Sequence, residues 1–247
     1  MPKATYHHGD LRRALLRAAE EAITETGVAT LSMRDLSRRA GVSHAAPTHH
    51  FGDKAGLLTA LATEGFEQLA KALATSRLAS NSFVELGVTY IRFAVTKRPL
   101  FEVMFRTDLY HAADPALLAA RAKAADALYA AVSDLPDGFL APIQSRAASE
   151  SAPGGTAPIR SRAALSASAP GGTATFPPHS ADAAARPAKP GTAETAPPDV
   201  RTAGLAAWSM AHGFATLWLS GAFPDRDLDP AETARHLFSE LNRHYAP

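Results

Sequence analysis

His44, His49, His50 and Lys54 fall in one short stretch, GVSHAAPTHHFGDKAGLL (residues 41–58), together with the hydroxyls of Ser43 and Thr48 and the small residues Ala45 and Ala46. Imidazole, ammonium and hydroxyl groups donate hydrogen bonds to phosphate oxygens and base edges, and an alanine methyl fits against the methyl of thymine. The same residue types serve metal binding and acid–base catalysis, but their spacing argues against both. His49–His50 and His7–His8 are adjacent pairs, whereas two ligands on one helix face need an i, i+4 spacing. No G-x-S-x-G elbow, P-loop, H-E-x-x-H pair or cysteine accompanies them. No catalytic residue, metal site or cofactor is expected.

The elements that must position this stretch are helices, since strand signals are nearly absent. Residues 10–27 place Leu11, Leu15, Ala18, Ala19, Ala22 and Ile23 on one face, with Gly27 as the stop. Residues 31–41 begin with Ser32 as N-cap and Asp35 three residues on, a capping-box-like pair, and end at Gly41. Ser43 then reads as the next N-cap, and a longer helix covers 53–76. Helix, short Gly-centred turn, helix is a helix-turn-helix pattern.

Pro47 stands inside the second helix of that pattern. With Ser43 as cap, His44, Ala45 and Ala46 are the first three helical residues, whose N–H groups lack intrahelical partners anyway. Pro47 is then the fourth and forfeits a single bond, to the Ser43 carbonyl. The interior-helix penalty of roughly 3 kcal/mol is much reduced there. Lys54 poses a related question, because the dipole at a helix start repels a cation. Either it is simply solvated, or it and the helix N-terminus together hold a DNA phosphate.

Further helices are expected at 81–98, 99–105, 114–135, 200–223 and 229–245, the third and fifth opening on Asp-Pro. The last carries the stripe Ala234, Leu237, Phe238, Leu241 and Tyr245, suited to a four-helix bundle between two subunits with 200–223. Tyr90, Phe93, Phe101, Phe105, Phe214 and Trp218 either line a cavity or form plain core. Trp208 and His212 are four apart and share a face, and Gly213 allows a neighbouring helix to come close. His212 is either a ligand's partner or a buried histidine supporting the fold.

Residues 141–199 break this pattern. They are rich in Pro, Gly, Ser, Thr and Ala and contain a near-repeat, PIQSRAASESAPGGTA (142–157) followed by PIRSRAALSASAPGGTA (158–174). Two copies without a sustained apolar face cannot stack a core, so a disordered linker is expected.

Bulk properties are consistent with this picture. The chain has 247 residues, 46% of them hydrophobic, no cysteine and a net charge of +1, so whole-chain charge does not point to nucleic acid. Five of the ten histidines lie in the first fifty residues, a mildly basic region compatible with phosphate contact. Lys3, His7 and His8 read either as an arm near phosphate or as a solvated tail. Disulfides and thiol redox chemistry are excluded. No signal-peptide core and no run of about 18 apolar residues is present, so a cytoplasmic protein without membrane contact is expected.

TLSMRDLSRRAGVS, then HF, then DKAGLL together resemble the TetR family of transcriptional regulators. YHHGDLRRALL, GVSHAAP and Trp208-x-x-x-His212-Gly213 resemble a subgroup whose C-terminal domain carries that tryptophan–histidine–glycine signature. The resemblance implies an all-α chain: a three-helix DNA-binding domain with its helix-turn-helix at 1–60, and a helical ligand-binding and dimerisation domain at 61–247, interrupted by the linker. It implies a homodimeric regulator, a repressor released by a small-molecule effector, on a palindromic double-stranded DNA operator. Arg34 would reach a base or phosphate; Ser43, His44, Ala45 and Ala46 would open the recognition helix. His49, His50 and Lys54 would face the backbone, His50 equally fitting a structural place beside Phe51. Thr48 stands where the family usually has tyrosine, so that phosphate contact has a shorter reach. The pocket would draw on Tyr90, Phe93, Phe101, Phe105, Trp208, His212 and Phe214. The alternative is a helical small-molecule binding protein without specific DNA recognition, supported by Thr48 alone.

Overall fold

The computed structural model describes residues 8–80, 82–133, 198–223 and 227–245. The N-terminal arm through His7 lies outside these residues, as does the expected linker except its last two positions. Those two, Pro198 and Asp199, are already helical.

Three helices make a head. Helix α1 (His8–Thr26) buries Leu15, Ala18, Ala19, Ala22 and Ile23, the expected face, and stops at Gly27, whose φ of 81° suits a residue without Cβ. Helix α2 (Met33–Arg39) is capped by the Ser32 hydroxyl, which accepts the Asp35 N–H at 3.4 Å. Only this half of the capping box forms. The Asp35 carboxylate turns instead to Arg38 and Arg39, at 2.5 and 2.6 Å. Helix α3 (Ala45–Phe51) follows the turn at Gly41.

Helix α4 (Lys54–Ser80) leaves the head and enters the body without a break. At 27 residues it is about 40 Å long, so a division at residue 60 falls inside a continuous element shared by both parts. The body adds α5 (Phe83–Thr96), the short α6 (Arg98–Met104), a 3-10 turn (Thr107–Leu109), α7 (Pro115–Ser133), α8 (Pro198–Ser220) and α9 (Pro230–Tyr245). Both Asp-Pro openings work as expected. Asp114 Oδ1 accepts from the N–H groups of Ala116 and Leu117, and Asp229 Oδ1 from those of Ala231 and Glu232. Among the described residues there is no strand, and one continuous apolar core runs from α1 to α9.

Two contacts position the functional elements. Helix α6 lies against both α1 and α4. It crosses α4 at Gly65, where a Cβ would come within 2.6 Å of Met104 Sδ. Helix α9 packs on α5 of its own chain, and two residues of the expected intersubunit stripe pack within the chain instead. Ala234 and Phe238 are buried, and the Phe238 ring fills the place where a Cβ on Gly87 would sit, 2.6 Å away. Arg235 adds a forked pair to Glu85 at 2.7 and 3.2 Å, which holds that carboxyl below its ordinary pKa. Phe238 finds a partner within the chain because α5 offers it a glycine, while the side chains of Leu241 and Tyr245 lie outside the described residues. Of the stripe side chains described, Leu237 is the exposed one, at 41%. At Gly213 a Cβ would meet nothing within 4 Å, so no described helix of this chain approaches it.

Candidate nucleic-acid interface and regulatory cavity

The turn between α2 and α3 settles the question of Pro47. The helix begins one residue later than expected: its N-cap is His44, at φ −59° and ψ −25°, with no side-chain capping bond, and Ser43 is outside it. The Ser43 carbonyl accepts instead from Ala46 N–H, at 3.0 Å. Pro47 is thus the third helical residue, where the missing N–H would have had no intrahelical acceptor. It costs no hydrogen bond, and its ring is buried.

That start divides α3 into two faces. Ser43, His44, Ala45, Thr48 and His49 are exposed on one side, while Pro47 is buried on the other and Ala46, His50 and Phe51 are intermediate. The His50 ring lies 6.2 Å from that of Phe51, over which the Arg12 guanidinium sits at 5.4 Å. His50 therefore belongs to the seam between α3 and the head as much as to its surface. In α2, Arg38 and Arg39 are committed to acids, Arg39 also reaching Glu25 of α1 at 2.7 Å. These bonds hold Asp35 and Glu25 below the ordinary carboxylate range. Arg34 is exposed and makes no such bond among the described residues, so it is the cation of α2 left for an outside partner.

Lys54 has an arrangement that neither sequence reading anticipated. Its Nζ donates to the Ala29 carbonyl at 3.0 Å, tying the α1–α2 turn to the start of α4. Asp53 caps that start, Oδ1 accepting the Gly56 N–H at 2.7 Å. The signal was present in the sequence as an aspartate just before the helix, and the sequence reading passed over it.

In the body, five of the seven expected pocket residues converge. The Tyr90 hydroxyl lies 2.9 Å from His212 Nδ1. The His212 ring stacks on Trp208 at 5.0 Å and meets Phe105 and Phe101 edge-on or tilted at 4.4 and 5.4 Å. Phe93 and Phe214 do not join them. Phe93 is buried in the core, and Phe214 belongs to a second aromatic group with Trp218, Phe223 and Phe238. A helical face spans more than one side of a pocket, so shared periodicity could not separate the two groups.

Two spaces adjoin the first group. One is an apolar cavity of about 30 Å³ among Leu69, Tyr90, Leu128, Trp208 and Phe238, close to the size of one water. The other is an open cleft of about 320 Å³ between α6 and α8, lined by Phe101, Phe105 and His212 with Arg98, Glu102 and Arg106. Sequence reasoning missed the two arginines, which carry no local signal. Burial lowers the His212 pKa to about 4, so its ring is neutral near pH 7. Among the described residues no three His, Asp or Glu side chains are placed to hold a metal ion, and no helix is long and apolar enough to cross a membrane.

This division into head and body matches known proteins part by part. Residues 15–61 match the family described as bacterial regulatory proteins, tetR family, and residues 83–241 match the tetracyclin repressor-like C-terminal domain. The HTH-type transcriptional regulator BetI of Stenotrophomonas maltophilia is 36% identical over 66 residues, 27% of this chain and 34% of that protein. The BetI of an Escherichia coli strain is 42% identical over 62 residues, 25% of this chain and 32% of that protein. The chain thus spans about a third of the length of these curated relatives. A Rhodococcus protein of unknown function superposes with a TM-score of 0.63 at 27% identity, over 99% of this chain and 100% of that one. The TetR family transcriptional regulator PfmR of Thermus thermophilus shares the fold, with a TM-score of 0.55 at 18% identity over 93% and 97% of the two chains. The head with its helix-turn-helix and the helical body are matched separately and in order, and the chain belongs to the TetR family of transcriptional regulators.

Proposed function

We propose that this regulator is a homodimeric repressor that binds a palindromic operator and leaves it when a small molecule enters the body. The observation that carries the DNA-reading part is the exposed face of α2 and α3. Among the described residues, the side chains of Arg34, His44, Thr48 and His49 have no intramolecular hydrogen bond or ion pair to break. His44 and Ala45 would read base edges, Thr48 and His49 would meet the backbone, and Lys54 would exchange its bond with the Ala29 carbonyl for a phosphate. Thr48 has a shorter reach than tyrosine, which keeps a ligand-binding protein without specific DNA recognition as the rival.

Dimerisation through α8 and α9 is supported by what those helices leave uncovered. Leu205, Met210 and Leu217 on α8 and Leu237 on α9 are 41–51% exposed, and Gly213 faces open space among them. A two-fold pairing would bury this face and set the distance between two heads. Release follows from α6 and the residue after it, which present Phe101 and Phe105 to the cleft and Leu100 and Met104 to α4 and its neighbours. A ligand that moves α6 favours a dimer whose head spacing no longer fits the operator. We also assign the chain to the tryptophan–histidine–glycine subgroup, on the Trp208–His212 stack.

Footprinting with DNA from the chain's own upstream region tests this reading. A protected palindrome, lost when the outward face of α3 is replaced, is the expected result. Binding with no sequence preference would favour the rival.

A further inference from the structure

We propose that the cleft between α6 and α8 is a carboxylate site. It takes a small planar acid whose ring rests on Phe101 and Phe105 and whose carboxylate meets His212, Arg98 and Arg106. The inference rests on the effector reading above and names the chemical class of that effector.

The tautomer of His212 carries the first part of the argument. The Tyr90 hydroxyl is buried, 2.9 Å from His212 Nδ1. Burial drives its pKa far above the ordinary phenol value, so it keeps its proton. That proton needs an acceptor. The neighbouring Trp208 indole has only an N–H to offer, and His212 Nδ1 is the acceptor within reach. A reversed bond would leave the phenol proton buried without a partner. Tyr90 therefore donates to Nδ1, and the proton of the neutral imidazole sits on Nε2. Among the described residues Nε2 has no hydrogen-bond partner, and His212 lines the cleft. The cleft thus receives a fixed N–H donor.

The rim carries the second part. Arg98, Glu102 and Arg106 follow at four-residue intervals along one side of the cleft. Arg98 is exposed and unpaired among the described residues, and Arg106 has only the long, exposed pair with Asp108 at 3.3 Å. Two cations against one carboxylate select a ligand with a single negative charge, since Glu102 repels a second. A guanidinium fork matches a carboxylate in shape as well as charge. The space, about 320 Å³, lies near the lower end of the roughly 300–1,000 Å³ range of ligand pockets, which limits the acid to a small one.

Isothermal titration of the full-length protein with benzoate, phenylacetate and 1-naphthoate, each beside its amide, tests the site. At least one acid should bind, and its amide at least tenfold more weakly. The double change Arg98→Gln with Arg106→Gln should bring that acid down to the level of its amide and leave the amide where it was. Nitrogen-15 NMR of the ligand-free protein should find His212 protonated on Nε2, and Tyr90→Phe should release that preference and weaken the acid with both arginines intact. The proposal is overturned if no acid binds, if amide and acid bind alike, if the arginine change leaves the acid unaffected, or if His212 carries its proton on Nδ1. An acid that binds as described and leaves operator DNA in place would establish the carboxylate site and refute its role as effector site.

Discussion

Phe238 and Leu237 are neighbours on α9, one buried and the other exposed, and the two faces they mark should respond differently to substitution. Phe238 is 5% exposed, packed against Gly87 of α5 and 6.3 Å from the Phe214 ring. Truncating such a phenylalanine costs about 3–5 kcal/mol. For a chain of this size each kcal/mol moves the melting midpoint by about 2–4 °C, so Phe238→Ala should lower it by about 6–20 °C. Gly87→Ala attacks the same contact from α5 and should cost about 1–3 kcal/mol by overpacking. Leu205 and Leu217 on α8 and Leu237 on α9 are 41–51% exposed, and in the proposed dimer a second copy would cover the remaining half of each. At about 1.5–3 kcal/mol for a whole leucine, each contributes about 1 kcal/mol, and two of them count four times across a two-fold interface. Leu205→Asp with Leu217→Asp should therefore weaken the dimer by about 3–6 kcal/mol, two to four decades in Kd, without loss of helical signal. Calorimetry and sedimentation equilibrium on the same samples separate the two effects. A Phe238→Ala protein that melts normally and sediments as a monomer would place Phe238 between subunits and refute its packing on α5.

The remaining predictions concern pH and DNA. His212 has a pKa held at about 4 by burial against about 6.5 unfolded, so between those values the unfolded chain binds the extra proton. Its contribution to stability is present above pH 6.5 and lost as the pH falls toward 4, by at most about 3 kcal/mol and less for its partial exposure. Glu20, raised by burial and by Glu64, works in the opposite direction as acid is added, so the readout is the difference between wild type and His212→Phe. That difference should grow between pH 6.5 and 4.5; a constant offset would refute the assignment. Lys54→Ala should weaken binding to all DNA about equally and reduce the log-affinity against log-salt slope by about 0.9. Because Lys54 also holds the Ala29 carbonyl, the same change should lower stability by about 0.5–1.5 kcal/mol, read in a separate melt. His44→Ala should instead leave the salt slope alone and relax base preference in a selection from random sequences; a uniform loss would make His44 a backbone contact.

The helices, their starts and the reading head were legible in the sequence because their causes are local. Apolar residues at helical spacing, Asp114 and Asp229 before prolines, and Gly27 and Gly41 at the stops act within a turn or two of themselves, and each did what its neighbours required. Even there the cap of α3 moved by one residue, since Ser43 turns its carbonyl and not its hydroxyl to the helix. What the sequence left open was which faces meet. Phe238 could equally have packed between subunits, and only the fold supplied Gly87, some 150 positions earlier, as the hollow that receives it. Lys54 met the Ala29 carbonyl for the same reason. The aromatics looked alike in sequence and were sorted into two groups by where the packed helices come to lie, which also brought Arg98 and Arg106 to the rim of the cleft beside His212. Periodicity says that a face will be buried; the partner is chosen by shape and charge complementarity between elements far apart in the chain, and those exist only once the helices are packed.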